Sequence, residues 1–284
     1  MSELISVVVA TYNRKDALDA VLRGLSWQSD RNFEVIVADD GSASDTCELV
    51  EQWQTRSVVP IHHVWHDDRG FRLAEIRNRA IAKSAGRLCI FIDGDCIPRH
   101  GFVAAHRRLA EAGWFTAGNR VLLSQDLTGR VLRNGLQPER WGISQWVEAR
   151  LRGEVNRISP LLYLPLGPLR KLQGQNWRAA RGGNLAIARE DLDRINGFDA
   201  EFTGWGREDS DIVIRLMRAG VRRKDGRFAT AVLHLWHPET ARSSLPQNDE
   251  RLMTLQKSAR VQAVRGLAQL NAQAVVARPR QTAR

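Results

Sequence analysis

The first hundred residues alternate short apolar segments with segments whose apolar residues recur at helical spacing. Leu18, Val21 and Leu25, for example, fall on one face of a helix. This alternation predicts an α/β domain in which a mostly parallel mixed sheet is flanked by helices. The predicted strands are residues 5–10, 33–38, 61–65 and 88–92, and the predicted helices between them are 18–25, 45–53 and 73–84.

Three of the predicted strands end in polar clusters, at Thr11–Arg14, Asp39–Ser42 and Asp93–Asp95. In an open α/β sheet, ligands bind beyond the carboxyl ends of the strands, so we expect the three clusters to meet in one site. Asp93 and Asp95 would repel each other unless a cation lay between them. Hard divalent ions bind carboxylate oxygens and share the rest of their shell with waters and phosphates. An Asp-x-Asp pair also occurs in solvated turns, but together with the other clusters it predicts a metal–diphosphate site.

The composition is that of a folded protein without a membrane anchor. With 284 residues, of which 43% are hydrophobic, the chain can bury the core of one large domain or of two closely fused halves. It has no run of 18 apolar residues and no basic segment leading into an apolar one at its N-terminus, so we expect neither a membrane span nor a signal peptide. The three cysteines form no metal-ligand spacing, and an odd count suits a reducing compartment. We therefore expect a cytoplasmic protein.

The net charge of +10 is concentrated in two regions. Residues 130–181 hold ten Arg or Lys against three Glu, and residues 247–284 hold seven against two acidic residues. Basic surfaces attract nucleic acid, anionic lipid or phosphorylated substrates, although they also serve only solubility. Because the chain has no zinc finger and no aromatic RNA-binding motif, we expect no nucleic-acid partner. The charge favours an anionic acceptor substrate, or peripheral contact of the protein with an anionic membrane surface at the inner face of the cell membrane.

Two segments are open to more than one interpretation. The stretch 125–180 is irregular, and its most apolar piece, 161–169, suits a lid, an acceptor wall, a lipid-contacting surface or a packed loop. The stretch 250–276 has the pattern of an amphipathic helix, which would either dock on the core or lie on a membrane.

A second acidic cluster follows a Gly-Trp205-Gly206 run, and it consists of Glu208 and Asp209. Glycines around a tryptophan predict a mobile loop that presents an aromatic face on which a sugar ring can pack. The acids begin a predicted helix, whose N-terminus favours their anionic forms. Capping by Ser210 or Asp211 is the structural alternative, but it does not explain the glycines. A carboxylate beside a sugar platform can act as general base for an acceptor hydroxyl.

His234 and His237 follow a predicted strand at 231–233. A histidine at a strand end binds a divalent metal through its neutral imidazole, although a lone histidine is more often an ordinary core or surface residue. Two histidines, together with the Asp93 and Asp95 carboxylates, could complete a metal site with positions open for phosphate oxygens.

These motifs resemble a known family. Residues 7–14, 34–42 and 92–95 closely resemble the nucleotide-sugar half of family 2 glycosyltransferases, enzymes with the glycosyltransferase-A fold and a Rossmann-like sheet. Residues 181–188, 196–199 and 204–209 resemble the acceptor-side half of β-1,4-galactosyltransferases and chondroitin-polymerase-like enzymes. The resemblance covers about residues 4–125 and 178–240. It implies one domain with a nucleotide-sugar-binding half at 1–125 and an acceptor-binding and catalytic half at 126–245, followed by a basic helical tail at 246–284.

The resemblance also implies a role for each matching residue. Thr11, Tyr12 and Arg14 would line the base and ribose pocket, and Asp40, or else Asp39, would accept a hydrogen bond from uracil. Arg77, Asn78 and Gly94 would lie near the nucleotide. Asp93 would face the ribose or the metal, whose ligands would be Asp95, His237 and His234, and the metal would be Mn²⁺ or Mg²⁺. Gly182, Gly183 and Asn184 would border the donor sugar. Trp205, Gly206 and Glu208 would hold donor and acceptor sugars, and Asp209 would be the catalytic base.

The implied function is inverting, metal-dependent transfer of a sugar from a UDP-sugar to a glycan or lipid-linked acceptor, in the synthesis of bacterial surface polysaccharide or lipopolysaccharide. Galactose, GalNAc and GlcNAc are the candidate sugars. Arg207 and Ser210 stand where the galactosyltransferase pattern has a glycine and an acid, so the donor sugar cannot be carried over. The alternatives are a sugar nucleotidyltransferase, which lacks support because no glycine-rich loop follows the first strand, and a non-catalytic glycan- or nucleotide-binding module.

Overall fold

The computed structural model describes residues 3–180, 182–239 and 242–270, and its main feature is a seven-stranded sheet in the order β3-β2-β1-β4-β8-β6-β9. A three-stranded sheet, β5-β10-β7, lies beside it. The strands are β1 (Ile5–Thr11), β2 (Phe33–Asp39), β3 (Ile61–Trp65), β4 (Leu88–Asp93), β5 (Cys96–Pro98), β6 (Trp114–Ala117), β7 (Arg120–Leu122), β8 (Asn184–Ala188), β9 (Arg222–Asp225) and β10 (Val232–His234). The α-helices are α1 (Lys15–Ser26), α2 (Ser44–Arg56), α3 (Leu73–Lys83), α4 (Phe102–Leu109), α5 (Gln125–Asn134), α6 (Ile143–Leu151), α7 (Arg189–Arg194), α8 (Glu208–Arg218), α9 (Leu245–Lys257) and α10 (Leu267–Leu270).

The first four strands are parallel, as the alternating pattern predicts. From β1 the chain proceeds outward to β2 and β3, and then returns to place β4 on the other side of β1. The order of strands therefore reverses between β1 and β4, and ligands of such sheets bind at this reversal. Ala10 near the end of β1 is paired with Asp93 at the end of β4, so two of the three polar clusters meet there.

The inner parallel strands β1 and β2 are buried on both faces. Val7 and Val9 of β1 belong to a core packed against α1, whereas Val8 belongs to a second core packed against α3. Successive side chains of a strand point to opposite faces, so a strand with helices on both sides is apolar at most of its positions. This explains the continuous apolar runs in this half of the sequence.

The other half of the sheet is mixed. Strand β8 is antiparallel to both β4 and β6, which makes the sheet mixed as expected. In the small sheet, β10 is antiparallel to β5 and pairs His234 with Cys96, the neighbour of Asp95. This pairing brings together residues that are about 140 positions apart in the sequence.

The stretch 125–180 is more regular than the sequence analysis predicted, because α5 and α6 lie within it. Helix α5 begins at an N-cap, Ser124, whose side chain accepts a hydrogen bond from Leu127 N, and it ends at Gly135 in the left-handed conformation. Short apolar faces on these helices, including the buried Trp146, pack on the core beside α1. Such short helices give a weak periodic signal in the sequence.

The prediction of one helix over 250–276 is wrong where the structure can test it. Helix α9 ends at Lys257, the residues from 258 to 266 are not helical, and α10 covers only Leu267–Leu270. The side chain of Arg218 accounts for the break, because it donates hydrogen bonds to the carbonyl groups of Leu255 and Arg260 and so holds the turned chain against α8. Residues 271–276 of the predicted helix lie outside the described residues. Among the described helices, none is long and apolar enough to cross a bilayer.

Candidate active site

A cavity of about 840 Å³ opens at the carboxyl edge of the sheet, at the reversal between β1 and β4. All three polar clusters, the Gly-Trp-Gly run and both histidines contribute to its lining. Sixteen of the sequence-predicted site residues therefore lie around one cavity, and their chemical roles remain predictions: Thr11, Tyr12, Arg14, Asp40, Arg77, Asp93, Gly94, Asp95, Gly182, Gly183, Trp205, Gly206, Glu208, Asp209, His234 and His237.

Three predicted residues have side chains that are engaged away from this cavity. Asp39 is fully buried and accepts hydrogen bonds from Ser42 N and from the ring of His63, so of the two neighbouring aspartates only Asp40 lines the cavity. The Asn78 amide both donates to and accepts from the backbone of Phe198, and it therefore ties α3 to the loop before α8. The Asn184 amide is directed at His106 and at the carbonyl groups of Asn119 and Thr230. These three arrangements share one cause: a buried amide or carboxylate requires partners, and the nearest partners belong to the scaffold.

The wall near β1 and β2 presents polar atoms with capacity for a ligand. The Thr11 hydroxyl is buried, lines the cavity and has no hydrogen-bond partner. The Asp40 carboxylate accepts hydrogen bonds from the His66 ring at 2.6 Å and from Arg72 N at 2.8 Å. Each carboxylate oxygen has two lone pairs, so Asp40 retains acceptor capacity toward the cavity.

Two arginines surround Asp93 at the cavity floor. Arg77 of α3 is 1% exposed and lies 2.9 Å from Asp93 Oδ1, while Arg120 of β7 lies 3.7 Å from Asp93 Oδ2. Sequence reasoning missed Arg120, which carries no motif and reaches the site only because β7 pairs with β10. Burial lowers the pKa of Arg120, but the charges of nearby acidic groups, Asp93 among them, outweigh burial and raise this pKa overall.

Two adjacent glycines, Gly182 and Gly183, line another part of the cavity wall. A Cβ atom added at Gly183 would lie 2.5 Å from Asp93 Oδ2 and 3.0 Å from Arg120 Nη1. Real Cβ atoms do not approach so closely, so a side chain at this position would displace the Asp93 carboxylate or the Arg120 guanidinium group.

Asp95, His234 and His237 form a cluster that fits a divalent cation. Their ligand atoms all lie within 4.8 Å of one another, with Asp95 Oδ2 3.3 Å from His237 Nε2 and Asp95 Oδ1 3.7 Å from His234 Nε2. Nδ1 of His237 lies 2.7 Å from the Pro238 carbonyl oxygen; donation to that oxygen leaves Nε2 as the ligand atom. Burial lowers the pKa of His234, which favours the neutral, metal-binding form. Asp93 belongs to a second group with Asp95 and Cys96, but its carboxylate already pairs with two arginines.

Glu208 and Asp209 begin α8 at the rim of the cavity. Asp209 Oδ2 accepts a hydrogen bond from Gly182 N at 2.9 Å, and Oδ1 accepts one from Ser210 N at 2.7 Å, so the carboxylate is held in one orientation. Burial and the adjacent charge of Asp209 raise the pKa of Glu208 from 4.5 to about 7, although Arg77 opposes the shift from 3.7 Å. Neighbouring acids thus have different environments, which is a common feature of catalytic sites.

The Gly-Trp-Gly loop is held by α9. Gly204, Gly206 and Arg207 all have positive φ, a conformation that glycine adopts without strain and arginine does not. The buried amide of Asn248 donates to the carbonyl groups of Thr203 and Gly206, and Arg207 forms an ion pair with Asp249. The Trp205 ring is 37% exposed at the cavity mouth. The capping alternative considered for Ser210 and Asp211 is wrong, since α8 already begins at Glu208.

The fold and the cavity define a class: a glycosyltransferase-A domain, as the resemblance implied. Solved structures of the same fold include the mannosyltransferase PcManGT from Pyrobaculum calidifontis in complex with GDP-Man and Mn²⁺, with a TM-score of 0.58 and 18% identity over 90% of this chain and 63% of that one. They also include S. aureus TarS 1-349 in complex with UDP-GlcNAc, with a TM-score of 0.62 and 16% identity over 93% of this chain and 68% of that one.

Residues 6–153, just over half of the chain, match the family model described as glycosyl transferase family 2, and the chain therefore belongs to this family. Residues 172–238 match a second model, described as the N-terminal domain of galactosyltransferase. The family assignment made from the motifs is thus confirmed, and it also covers residues 126–153, where no counterpart was recognised.

Named relatives are similar over most of this chain. Validoxylamine A glucosyltransferase of Streptomyces hygroscopicus is 30% identical over 239 residues, covering 77% of this chain and 52% of the relative. Chondroitin synthase of Escherichia coli is 29% identical over 226 residues, covering 76% of this chain and 32% of the relative. A UDP-Glc:alpha-D-GlcNAc-diphosphoundecaprenol beta-1,3-glucosyltransferase of Escherichia coli is 30% identical over 93 residues, covering 33% and 36%. The chain spans about half the length of the first of these relatives, and less of the others.

Proposed function

We propose that the protein is an inverting, metal-dependent glycosyltransferase that moves a sugar from a UDP-sugar to a hydroxyl of a glycan or lipid-linked acceptor. The observation that carries this proposal is that one cavity brings together three features. These are the Asp40 carboxylate, which can accept a hydrogen bond from a base, the Asp95, His234 and His237 cluster, and the Asp209 carboxylate, which is held in one orientation near the exposed Trp205. The names of its relatives, which include a chondroitin synthase and a glucosyltransferase named for a lipid-diphosphate-linked sugar, support the acceptor class.

The nucleotide would bind between the ends of β1 and β4. Asp40 would accept a hydrogen bond from N3–H of uracil, and the unpartnered Thr11 hydroxyl would find its partner in the nucleoside. Arg77 and Arg120 would hold Asp93 in place and bring positive charge close to the diphosphate.

Asp95, His234 and His237 would hold the divalent ion. A bound ion supplies Lewis-acid neutralisation of the charge that develops on the departing nucleoside diphosphate. Imidazole ligands suit transition metals, whereas Mg²⁺ prefers carboxylates, phosphates and water, so of the two predicted ions Mg²⁺ is the less suited to this donor set.

Asp209 would act as the general base. Its two backbone hydrogen bonds leave lone pairs that can accept the proton of an acceptor hydroxyl, which attacks the anomeric carbon from the face opposite the diphosphate. A single displacement of this kind inverts the configuration and requires no enzyme nucleophile. Trp205 would pack against a sugar ring, and Glu208 would contact a sugar hydroxyl.

The test is the substitution Asp209→Asn, with transfer and UDP binding measured separately. Loss of a positioned general base costs about 10²- to 10⁴-fold in rate, so transfer should fall by that factor while the UDP dissociation constant changes little. A matched loss of transfer and of UDP affinity would remove Asp209 from the role of base.

A donor panel tests the reaction class. UDP- and GDP-sugars are incubated with and without Mn²⁺, and sugar release is measured. Metal-dependent release from one UDP-sugar supports the proposal and excludes a non-catalytic binding module. Production of a sugar nucleotide from a sugar phosphate and UTP would favour the nucleotidyltransferase.

We also propose that the protein works at the inner face of the cell membrane, where surface polysaccharide or lipopolysaccharide is assembled, and that α6 contacts anionic lipid. Ile143, Val147 and Leu151 form an exposed stripe on this helix, away from the buried Trp146 and Ala149. Exposed arginines lie on and near the helix, at positions 133, 140, 150 and 152. An apolar stripe flanked by arginines suits the interface of an anionic bilayer.

Vesicle sedimentation tests this contact. The protein should bind phosphatidylglycerol vesicles more than phosphatidylcholine vesicles, and Val147→Ser with Leu151→Ser should reduce that binding. Val58→Ser is the matched control, because Val58 is 75% exposed and lies between α2 and β3, outside α6. Equal binding by all variants would contradict the proposal.

A further inference from the structure

His66 is a buried histidine to which the proposed function gives no role. It follows β3, its side chain is 4% exposed, and it lies behind Asp40 rather than in the cavity. Nε2 lies 2.6 Å from Asp40 Oδ1, while Nδ1 is buried without a hydrogen-bond partner and lies 3.8 Å from Glu75 Oε1. Both ring nitrogens therefore face carboxylates.

This arrangement favours a protonated ring. A neutral imidazole carries one N–H and one lone pair, so either Asp40 or Glu75 would face a lone pair. Only the imidazolium presents N–H to both. Burial lowers the pKa of His66, but the carboxylates of Asp40 and Glu75 outweigh burial, and the pKa is raised overall.

The charged surroundings are consistent with this state. Asp40 at the end of β2, Asp68 and Arg72 before α3, and Glu75 on α3 all face His66. Glu75 is in turn paired with Arg72 and Arg79, and the nearby His66 is the largest of the causes that lower its pKa. Glu75 thus stays ionised and continues to stabilise the imidazolium.

We propose that His66 is a positioning residue that holds the Asp40 carboxylate in one orientation, and thereby restricts the donor to nucleobases with a ring N–H at the position that Asp40 contacts. A carboxylate accepts from N3–H of uracil but repels the N3 lone pair of cytosine. Without the imidazolium, Asp40 loses the charge-assisted hydrogen bond to Oδ1 and keeps only the one from Arg72 N to Oδ2. The carboxylate can then turn away from the base, and the distinction between the two bases weakens. This inference rests on the proposed function, because it assumes that Asp40 contacts the base.

The experiment compares UDP and CDP binding to the full chain by calorimetry across pH 5.5–9. In His66→Leu, UDP should bind about tenfold more weakly, as expected for loss of a hydrogen bond to a charged group, and the ratio of UDP to CDP affinity should fall by a similar factor. In His66→Gln, the amide nitrogen replaces Nε2 as donor but carries no titrating charge. UDP affinity of the unmodified protein should fall as pH rises through the raised His66 pKa, and this fall should be absent from His66→Gln. Titration of the diphosphate is common to both proteins and cancels in their ratio.

His63→Leu is the matched control. His63 lies on β3 and makes the same kind of contact with a carboxylate, 2.9 Å from Asp39 at the end of β2. Asp39, however, does not line the cavity. The control should leave the UDP to CDP ratio unchanged. The proposal is overturned if His66→Leu keeps the normal ratio, if His63→Leu changes it equally, or if the pH profiles of the unmodified protein and His66→Gln coincide.

Where His66→Leu does not fold, the pH profile of His66→Gln decides. If the proposed function itself is wrong, the unmodified protein will bind no uridine nucleotide at all, and this result is distinct from a failure of the inference about His66.

Discussion

Glu208 gives the site a pH-dependent cost in stability. Burial and the charge of Asp209 raise its pKa from 4.5 to about 7. Each tenfold change in proton affinity corresponds to about 1.4 kcal/mol, so an ionised Glu208 destabilises the folded protein by about 3 kcal/mol. Below pH 4.5 the group is protonated in both the folded and the unfolded states and contributes nothing. The cost grows as pH rises and is complete above about pH 7.

Glu208→Gln removes this charge and keeps the shape of the side chain. Urea unfolding without nucleotide or divalent ions should give equal free energies for the two proteins near pH 4.5. By pH 8 the variant should be more stable by up to about 3 kcal/mol, less whatever is lost from the 3.7 Å contact with Arg77. Glu148→Gln is the control, since Glu148 is 58% exposed and should shift the free energy by less than about 0.5 kcal/mol. A difference that does not change with pH, or a variant less stable at pH 8, would refute the reasoning.

Two further predictions concern the floor of the cavity and the metal cluster. Gly183→Ala places a methyl group 2.5 Å from Asp93 Oδ2, so UDP binding should weaken, and the free energy of unfolding should fall by about 1–3 kcal/mol. Gly101→Ala, which meets no atom within 4 Å, should leave UDP binding unchanged. His237→Ala should weaken Mn²⁺ binding about tenfold or more in calorimetry, whereas His62→Ala, at a partly exposed histidine beside Glu34, should not; equal effects of the two would remove His237 from the cluster.

The sequence alone determined the fold and the regions that form the site. Strand-length apolar runs are typical of strands buried between two layers of helices, so their alternation with helical segments predicted a parallel sheet. Polar clusters at the ends of such strands necessarily share one edge, which is why Thr11, Asp40 and Asp93 could be grouped before any coordinates were known. The order of the motifs was enough to identify the family.

Only the tertiary structure decided which member of each polar cluster serves the cavity. Asp39 and Asp40 are adjacent and chemically identical, yet the Asp39 side chain contacts His63 whereas Asp40 lines the cavity. Arg120 and His66 belong to no local sequence motif. Arg120 reaches the site through the pairing of β7 with β10, and His66 contacts Asp40, which lies 26 residues away in the sequence. Hydrophobic periodicity reports which face of an element is buried. The choice of partner for a buried polar group is a competition among all donors and acceptors nearby in space, and only the folded chain defines those neighbours.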